Sequence, residues 1–239
     1  MPNDIISQRE KRRYEQQTKL EGIGERGQEL IKLSRILVIG AGGKGTSALK
    51  NLITAGVGFI GVSDDTLVQE DTLGRQSLYG DNDIGKQKAI VTKQYLQARN
   101  QFTEIKVHNI RLTAQNLHKV IENYHLIIDA TNNFETHYAI SKAAKSANKP
   151  VVLSFIKNNK AVVTTLFYNN KKDLKDFMPT EAAIETKPNT ETPVVITNSM
   201  AGGIMANEAL KIVLKKTTFL SDKILVIDPL DYKFEHIDK

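Results

Sequence analysis

The sequence predicts an α/β domain with a mostly parallel sheet, helices on both faces, a helical N-terminal arm and antiparallel strands at its C-terminal end. Three observations carry that expectation. Short apolar runs alternate with segments of helical period, a glycine cluster follows the first run, and the last third abandons the alternation. The chain has 239 residues, 40% hydrophobic and 25% charged, a length and balance suited to one globular domain spanning residues 1–239.

Residues 1–34 are charged and helical in period, with Leu20, Ile23, Leu30, Ile31 and Leu33 broken by Gly22, Gly24 and Gly27, so they read as an arm before the core. Residues 35–39 (RILVI) form a short apolar run entering a glycine cluster, which suits a strand buried on both faces. A helix is expected over 43–55, with Leu49, Leu52 and Ile53 turned inward. The second strand covers 59–62 and ends at Ser63-Asp64-Asp65. A polar loop over 66–85 leads to a helix near 86–97. Strand 104–110, helix 114–124 and strand 126–129 (LIID) come next. Helix 134–148, strand 151–155, a turn at Lys157-Asn158-Asn159-Lys160 and strand 161–168 follow. Residues 169–193, rich in Lys, Glu, Asp, Thr and Pro, read as a long mobile loop. A helix over 197–216 and strands 223–227 and 232–237 close the chain.

Composition excludes several chemistries. With no cysteine in the sequence, disulfides, thiolate metal sites and cysteine nucleophiles are ruled out. No apolar run reaches membrane-spanning length and the N-terminus has no signal-peptide character, so a cytoplasmic protein without a membrane partner is expected. The formal charge of +6 favours anionic partners. No zinc-finger spacing or RNA-recognition signature accompanies it, and nucleic acid is not expected.

Gly40-Ala41-Gly42-Gly43-Lys44-Gly45 is a GxGxxG element between a predicted strand and a predicted helix. Glycines at 40, 42, 43 and 45 permit a tight turn and close backbone approach to phosphate oxygens, while the helix N-terminus offers free N–H groups. Asp64 lies about twenty residues further on, where an acid accepts from ribose hydroxyls in Rossmann-like folds. These features suit a nicotinamide dinucleotide as well as ATP.

Downstream stand Thr72-Leu73-Gly74-Arg75-Gln76 and Gly85-Lys86-Gln87-Lys88. With Ala55-Gly56-Val57-Gly58, Asp129-Ala130-Thr131-Asn132-Asn133, Tyr14, Gly27-Gln28 and the late stretch 200–213 (MAGGIMANEALKIV), they appear in an order that resembles the ThiF/MoeB/HesA family. The resemblance implies condensation of ATP with a C-terminal carboxylate of a small ubiquitin-like sulfur-carrier protein or peptide, giving an acyl-adenylate and pyrophosphate. It further implies that Arg75 and Lys88 reach the phosphates, that Gln76 positions the same region, that Asp64 binds the ribose, and that the chain forms a homodimer.

The chain departs from the family pattern on the chemistry. Gln16 stands where the arm usually carries an arginine directed at the partner's ATP site. Asn132 replaces the aspartate that resembles a magnesium ligand, leaving a neutral amide oxygen for a hard cation. Thr72 stands for an asparagine and His137 for an arginine. The Cys-x-x-Cys pairs that hold zinc and the transthiolation cysteine are missing, so a sulfur relay or thioester on this chain is excluded while adenylation is not. Three readings follow: an active adenylyltransferase using ATP and magnesium, a degenerate nucleotide-binding relative with a regulatory role, and a nicotinamide-dependent oxidoreductase.

Overall fold

A computed structural model describes residues 5–169, 173–177, 194–221 and 223–238. Strand β1 (Arg35–Ile39) lies in the interior of a sheet whose order is β3-β2-β1-β4-β5-β6-β7-β8. Strands β2 (Phe59–Ser63) and β3 (Glu104–His108) extend it parallel on one side; β4 (Leu126–Asp129) and β5 (Val151–Lys157) extend it parallel on the other. Strands β6 (Lys160–Leu166), β7 (Lys223–Asp228) and β8 (Lys233–Asp238) then add antiparallel. Because the chain grows outward to β3 and returns to β4 beside β1, the strand order reverses between β1 and β4. In open sheets of this kind the crevice at the carboxyl ends of those strands receives the ligand.

Period-two alternation between two buried faces explains why 36–39 is apolar throughout. Ile36 and Val38 enter the core on one face, with Leu49, Leu52 and Ile53 of α3 (Gly43–Ala55), Leu96 of α4 (Lys88–Arg99) and Ala201 and Met205 of α8 (Val195–Val213). Leu37 and Ile39 enter the opposite core, with Leu117 and Ile121 of α5 (Leu117–Ile121) and Ile140 of α6 (Phe134–Ser146). Each such aliphatic side chain contributes about 1.5–3 kcal/mol when fully buried.

The arm consists of α1 (Gln8–Thr18) and α2 (Gly24–Leu33). Ser7 and Glu10 form a reciprocal capping box, and Glu10 also pairs with Lys32 at 2.6 Å. Tyr14 is buried, its hydroxyl accepting from Asn100 Nδ2 at 2.8 Å, and its ring lies against Gly56, whose φ of +91° and lack of Cβ allow the approach. The arm is thus docked on its own core.

Several boundaries differ from the sequence expectation for local reasons. The helix expected over 114–124 shrinks to α5 because Asn116 ties its side chain to Thr113 N and Arg111 O, which competes with helical bonding. Strand β5 runs on to Lys157, since Asn158 and Asn159 both take positive φ and close a two-residue turn into β6. Of the loop expected over 169–193, residues 173–177 carry the short helix α7 (Leu174–Phe177), docked by buried Leu174 and a 2.9 Å pair between Lys145 and Asp173. Residues 170–172 and 178–193 lie outside the described residues. No described helix is long and apolar enough to cross a membrane.

Candidate functional site

The glycine element closes β1 onto α3 at the strand-order reversal. Gly40 has a φ of +93°, and a Cβ there would press on the backbone of Ala130 at 3.1 Å. At Gly45 a Cβ would strike the Gly40 carbonyl, so this position tolerates no side chain while the turn persists. Gly42 is the N-cap of α3 and makes no side-chain cap, which leaves the first N–H groups of the helix facing the crevice. Gly43 lies against the Arg75 carbonyl and the Asn198 side chain, where a Cβ would sit only 2.6 and 2.7 Å from the two oxygens.

Asp64 leaves the end of β2 and braces the turn. Its Oδ2 accepts from Ala41 N at 2.7 Å, and its Oδ1 accepts from Thr66 N at 2.9 Å and Thr66 Oγ1 at 2.6 Å. A carboxylate has about four acceptor positions, so one remains for a ligand hydroxyl. Tyr79, not singled out in the sequence, donates to the Ala41 carbonyl at 2.6 Å and fixes the same residue from the other side.

The two predicted cations both belong to segments near this turn: the Arg75 carbonyl stands beside Gly43, and Lys88 lies within reach of the Asp64 and Arg75 charges. Arg75 ends a short 3₁₀ segment (Glu70–Arg75), with Nη1 donating to the Asp71 carbonyl at 3.1 Å. Lys88 opens α4, is 8% exposed, and donates its backbone N–H to Thr66 O at 3.0 Å. Burial lowers the Lys88 pKa below the usual lysine value; the Asp64 charge pulls it up, and the Arg75 guanidinium pushes it down again. Among the described residues no carboxylate lies within ion-pair distance of either side chain. Gln76 is 5% exposed, lies near Gly42, and has an Oε1 with no partner among the described residues. Thr72 turns inward and its hydroxyl donates to Gln69 O at 2.7 Å.

The other wall comes from the segment after β4. Asn133 caps α6, accepting from Thr136 N at 2.9 Å. Asn132 instead accepts from Lys44 Nζ at 2.8 Å. Lys44 is 2% exposed, and its ammonium also donates to the Thr131 carbonyl at 2.8 Å and to the Ser154 carbonyl. Burial pulls its pKa down to about 7, against the pull of the Asp129 charge. Asp129 and His137 are both 0% exposed and meet at 2.7 Å. Burial pushes Asp129 up, but His137 and hydrogen bonds from Thr131 N and Oγ1 outweigh it and hold the carboxyl below its ordinary value. His137 is therefore structural in contact, between Phe134 and Phe155, with its Nε2 unpartnered among the described residues.

These contacts bear on magnesium. Among the described residues no group of three or more His, Asp or Glu side chains is placed to hold a metal. The amide oxygen of Asn132 is already taken by an ammonium, which repels a dication at the same atom. The residues present do not fit a magnesium ion at Asn132.

The fold and the strand-order reversal define a Rossmann-like α/β domain with its glycine turn at the ligand crevice. The chain belongs to the ThiF family, which it matches over residues 14–239. It is 32% identical over 94% of its length to a sulfur carrier protein adenylyltransferase of Thermus thermophilus, covering 86% of that protein. It is 30% identical to a probable molybdopterin-synthase adenylyltransferase of Gracilaria tenuistipitata, over 98% of this chain and 66% of that one. Among solved structures, PaaA superposes with a TM-score of 0.83 at 20% identity, over 100% of this chain and 76% of PaaA. Escherichia coli MccB solved with ATP gives 0.78 at 22% identity, over 89% and 66%. At those identities the likeness is one of fold. Family membership supports ATP-dependent adenylyl transfer.

Proposed function

We propose that the protein is an ATP-dependent adenylyltransferase that activates the C-terminal carboxylate of a small sulfur-carrier-like protein or peptide. The observation that carries this reading is that Arg75 and Lys88 both belong to segments near the glycine turn. Burial disfavours the Lys88 charge and the Arg75 guanidinium adds to that cost, which Asp64 and Asp71 offset from a distance without an ion pair, so an anion of several charges would find both cations without a direct carboxylate partner among the described residues.

In the reaction, a carboxylate oxygen of the partner bonds to the α-phosphorus while the bond to the α,β-bridging oxygen breaks and pyrophosphate leaves. The attacking group is already ionised, so no general base is needed. The work left to the protein is positioning and charge stabilisation. Backbone N–H groups of residues 42–45 and the side chains of Arg75 and Lys88 would face the phosphates, Gln76 would orient the turn, and Asp64 would offer its remaining acceptor to the ribose. Any magnesium would arrive on the nucleotide's own phosphates. A second copy of the chain would complete a homodimer, as the resemblance implies.

The test is exchange of labelled pyrophosphate into ATP in the presence of a protein ending in Gly-Gly. We expect exchange that depends on the free C-terminus and is lost in Arg75→Ala. Measurable ATP binding with no exchange for any such partner would reject the enzymatic reading. It would favour a second one, a nucleotide-binding regulator, for which the Lys44–Asn132 contact and the exposed Gln16 speak. In that case Gln16→Arg with Asn132→Asp should create exchange absent from the parent; no gain counts against it.

A further inference from the structure

We infer that the Lys44 ammonium stands in for a divalent cation at this site, so that ATP binds here without a requirement for magnesium. The inference rests on the ATP reading above and specifies how charge is supplied to it.

An ammonium has three N–H donors, and Lys44 meets three acceptors: the Thr131 carbonyl, the Asn132 amide oxygen and the Ser154 carbonyl. That set saturates the charged form, whereas a neutral amine would leave one acceptor without a donor. The position is fixed from several sides. Lys44 lies in the first turn of α3, one residue after Gly43, and Gly202 of α8 lets that helix rest on the Lys44 carbonyl. When protonated, the ammonium therefore sets a positive charge beside residues 131 and 132, which wall the crevice opposite the glycine turn.

The same contacts remove the means of holding a metal. Asn132 brings no charge, and its oxygen is shared with Nζ. The nearby Asp129 carboxylate is fully buried and committed to His137 and Thr131. Lys44 and Asn132 thus act as a matched pair: a lysine where its charge serves the crevice, and a neutral amide where a carboxylate would neutralise that charge. Lys44 is a positioning residue in this scheme. It acts through Asn132 and through its field, not by touching the reacting atoms.

The experiment is calorimetric titration of the full chain with ATP, once in excess EDTA and once in millimolar magnesium. We expect dissociation constants within about threefold of each other. Lys44→Met should lose about tenfold or more in EDTA, and Lys44→Met with Asn132→Asp should tighten by about tenfold or more when magnesium is added. A lysine that served packing alone would not move this magnesium dependence, and the parent measurement needs no variant to fold. Parent affinity that falls about tenfold or more in EDTA, or a Lys44→Met variant unchanged in EDTA, overturns the inference and leaves the ATP reading standing. Absence of ATP binding in both conditions removes the ATP reading and the inference with it.

Discussion

Replacing Lys44 by Met should stabilise the folded protein at neutral pH and below, although it deletes three hydrogen bonds. The fall of the Lys44 pKa from 10.5 to about 7 corresponds to about 5 kcal/mol of disfavoured charge in the folded state. Of the three acceptors left behind, only the Ser154 carbonyl is in a fully buried bond, and stranding it costs about 1–3 kcal/mol. Thr131 is half-buried and Asn132 exposed, so water replaces the ammonium there. Asp129 keeps His137 and both Thr131 donors. The balance is a gain of about 3 kcal/mol, or roughly 6–12 °C in the unfolding midpoint for a domain of this size.

The gain must shrink as pH rises. Below about 7 the lysine is charged in both folded and unfolded chains, and the burial penalty is complete. Between about 7 and 10.5 the unfolded chain holds a proton that the folded chain has released, so the parent gains roughly 1.4 kcal/mol per pH unit while the variant gains nothing from this site. The two should converge near pH 9. Urea and thermal unfolding followed by circular dichroism at pH 6.5 and 9 measure both curves. A variant less stable than the parent at pH 6.5, or a gap that stays constant with pH, would refute the reasoning.

Lys88→Gln should weaken ATP binding by about 10²-fold while leaving the unfolding midpoint unchanged or higher, because burial disfavours the charge it removes; calorimetry and melting curves on one sample decide it. Gly43→Ala should raise the dissociation constant for ATP by about tenfold, since its Cβ displaces the Arg75 backbone and Asn198; an unchanged affinity would show that the turn yields freely. Glu10→Gln should cost about 1–3 kcal/mol at pH 7. Burial raises the Glu10 pKa, but bonds from Lys32 and Ser7 lower it more, so its contribution is present above the usual carboxylate range and is lost as pH falls through the lowered value. A gap between parent and variant that narrows as pH falls below the usual carboxylate range would confirm that sign; a gap that stays constant or widens would contradict it.

Much of the architecture was legible because its signals are local. The run at 36–39 is apolar on both strand faces, and the glycines at 40 and 45 stand where a side chain would strike backbone. The resemblance carried by the motif order put Arg75 and Lys88 at the phosphates; the fold sets the Arg75 carbonyl beside Gly43 and Lys88 within reach of the Asp64 and Arg75 charges, and their part in binding stays a proposal. Lys44 was not legible. In the pattern it fills a variable place, and lysine on a helix is ordinarily solvated; only the spatial meeting of residues 44, 131, 132 and 154 reveals its burial. Tyr79 was missed likewise, since a tyrosine in a polar loop carries no sign that it reaches Ala41. The arm read as an outlying extension because its apolar residues are sparse, yet Tyr14 and Glu10 attach it through polar bonds that a hydrophobic pattern does not record.

The contact between α3 and α8 has a consequence for how the nucleotide would be met. Asn198 touches the turn at Gly43 and Gly202 lies on the Lys44 carbonyl, so the glycine turn, the cradle proposed for the phosphates, is held from behind by a helix more than a hundred residues away in the chain. A cradle clamped in this way is already shaped before any ligand arrives. Binding then spends little on ordering backbone, and any partner that tugged on α8 would shift the phosphates directly, without a loop to absorb the movement.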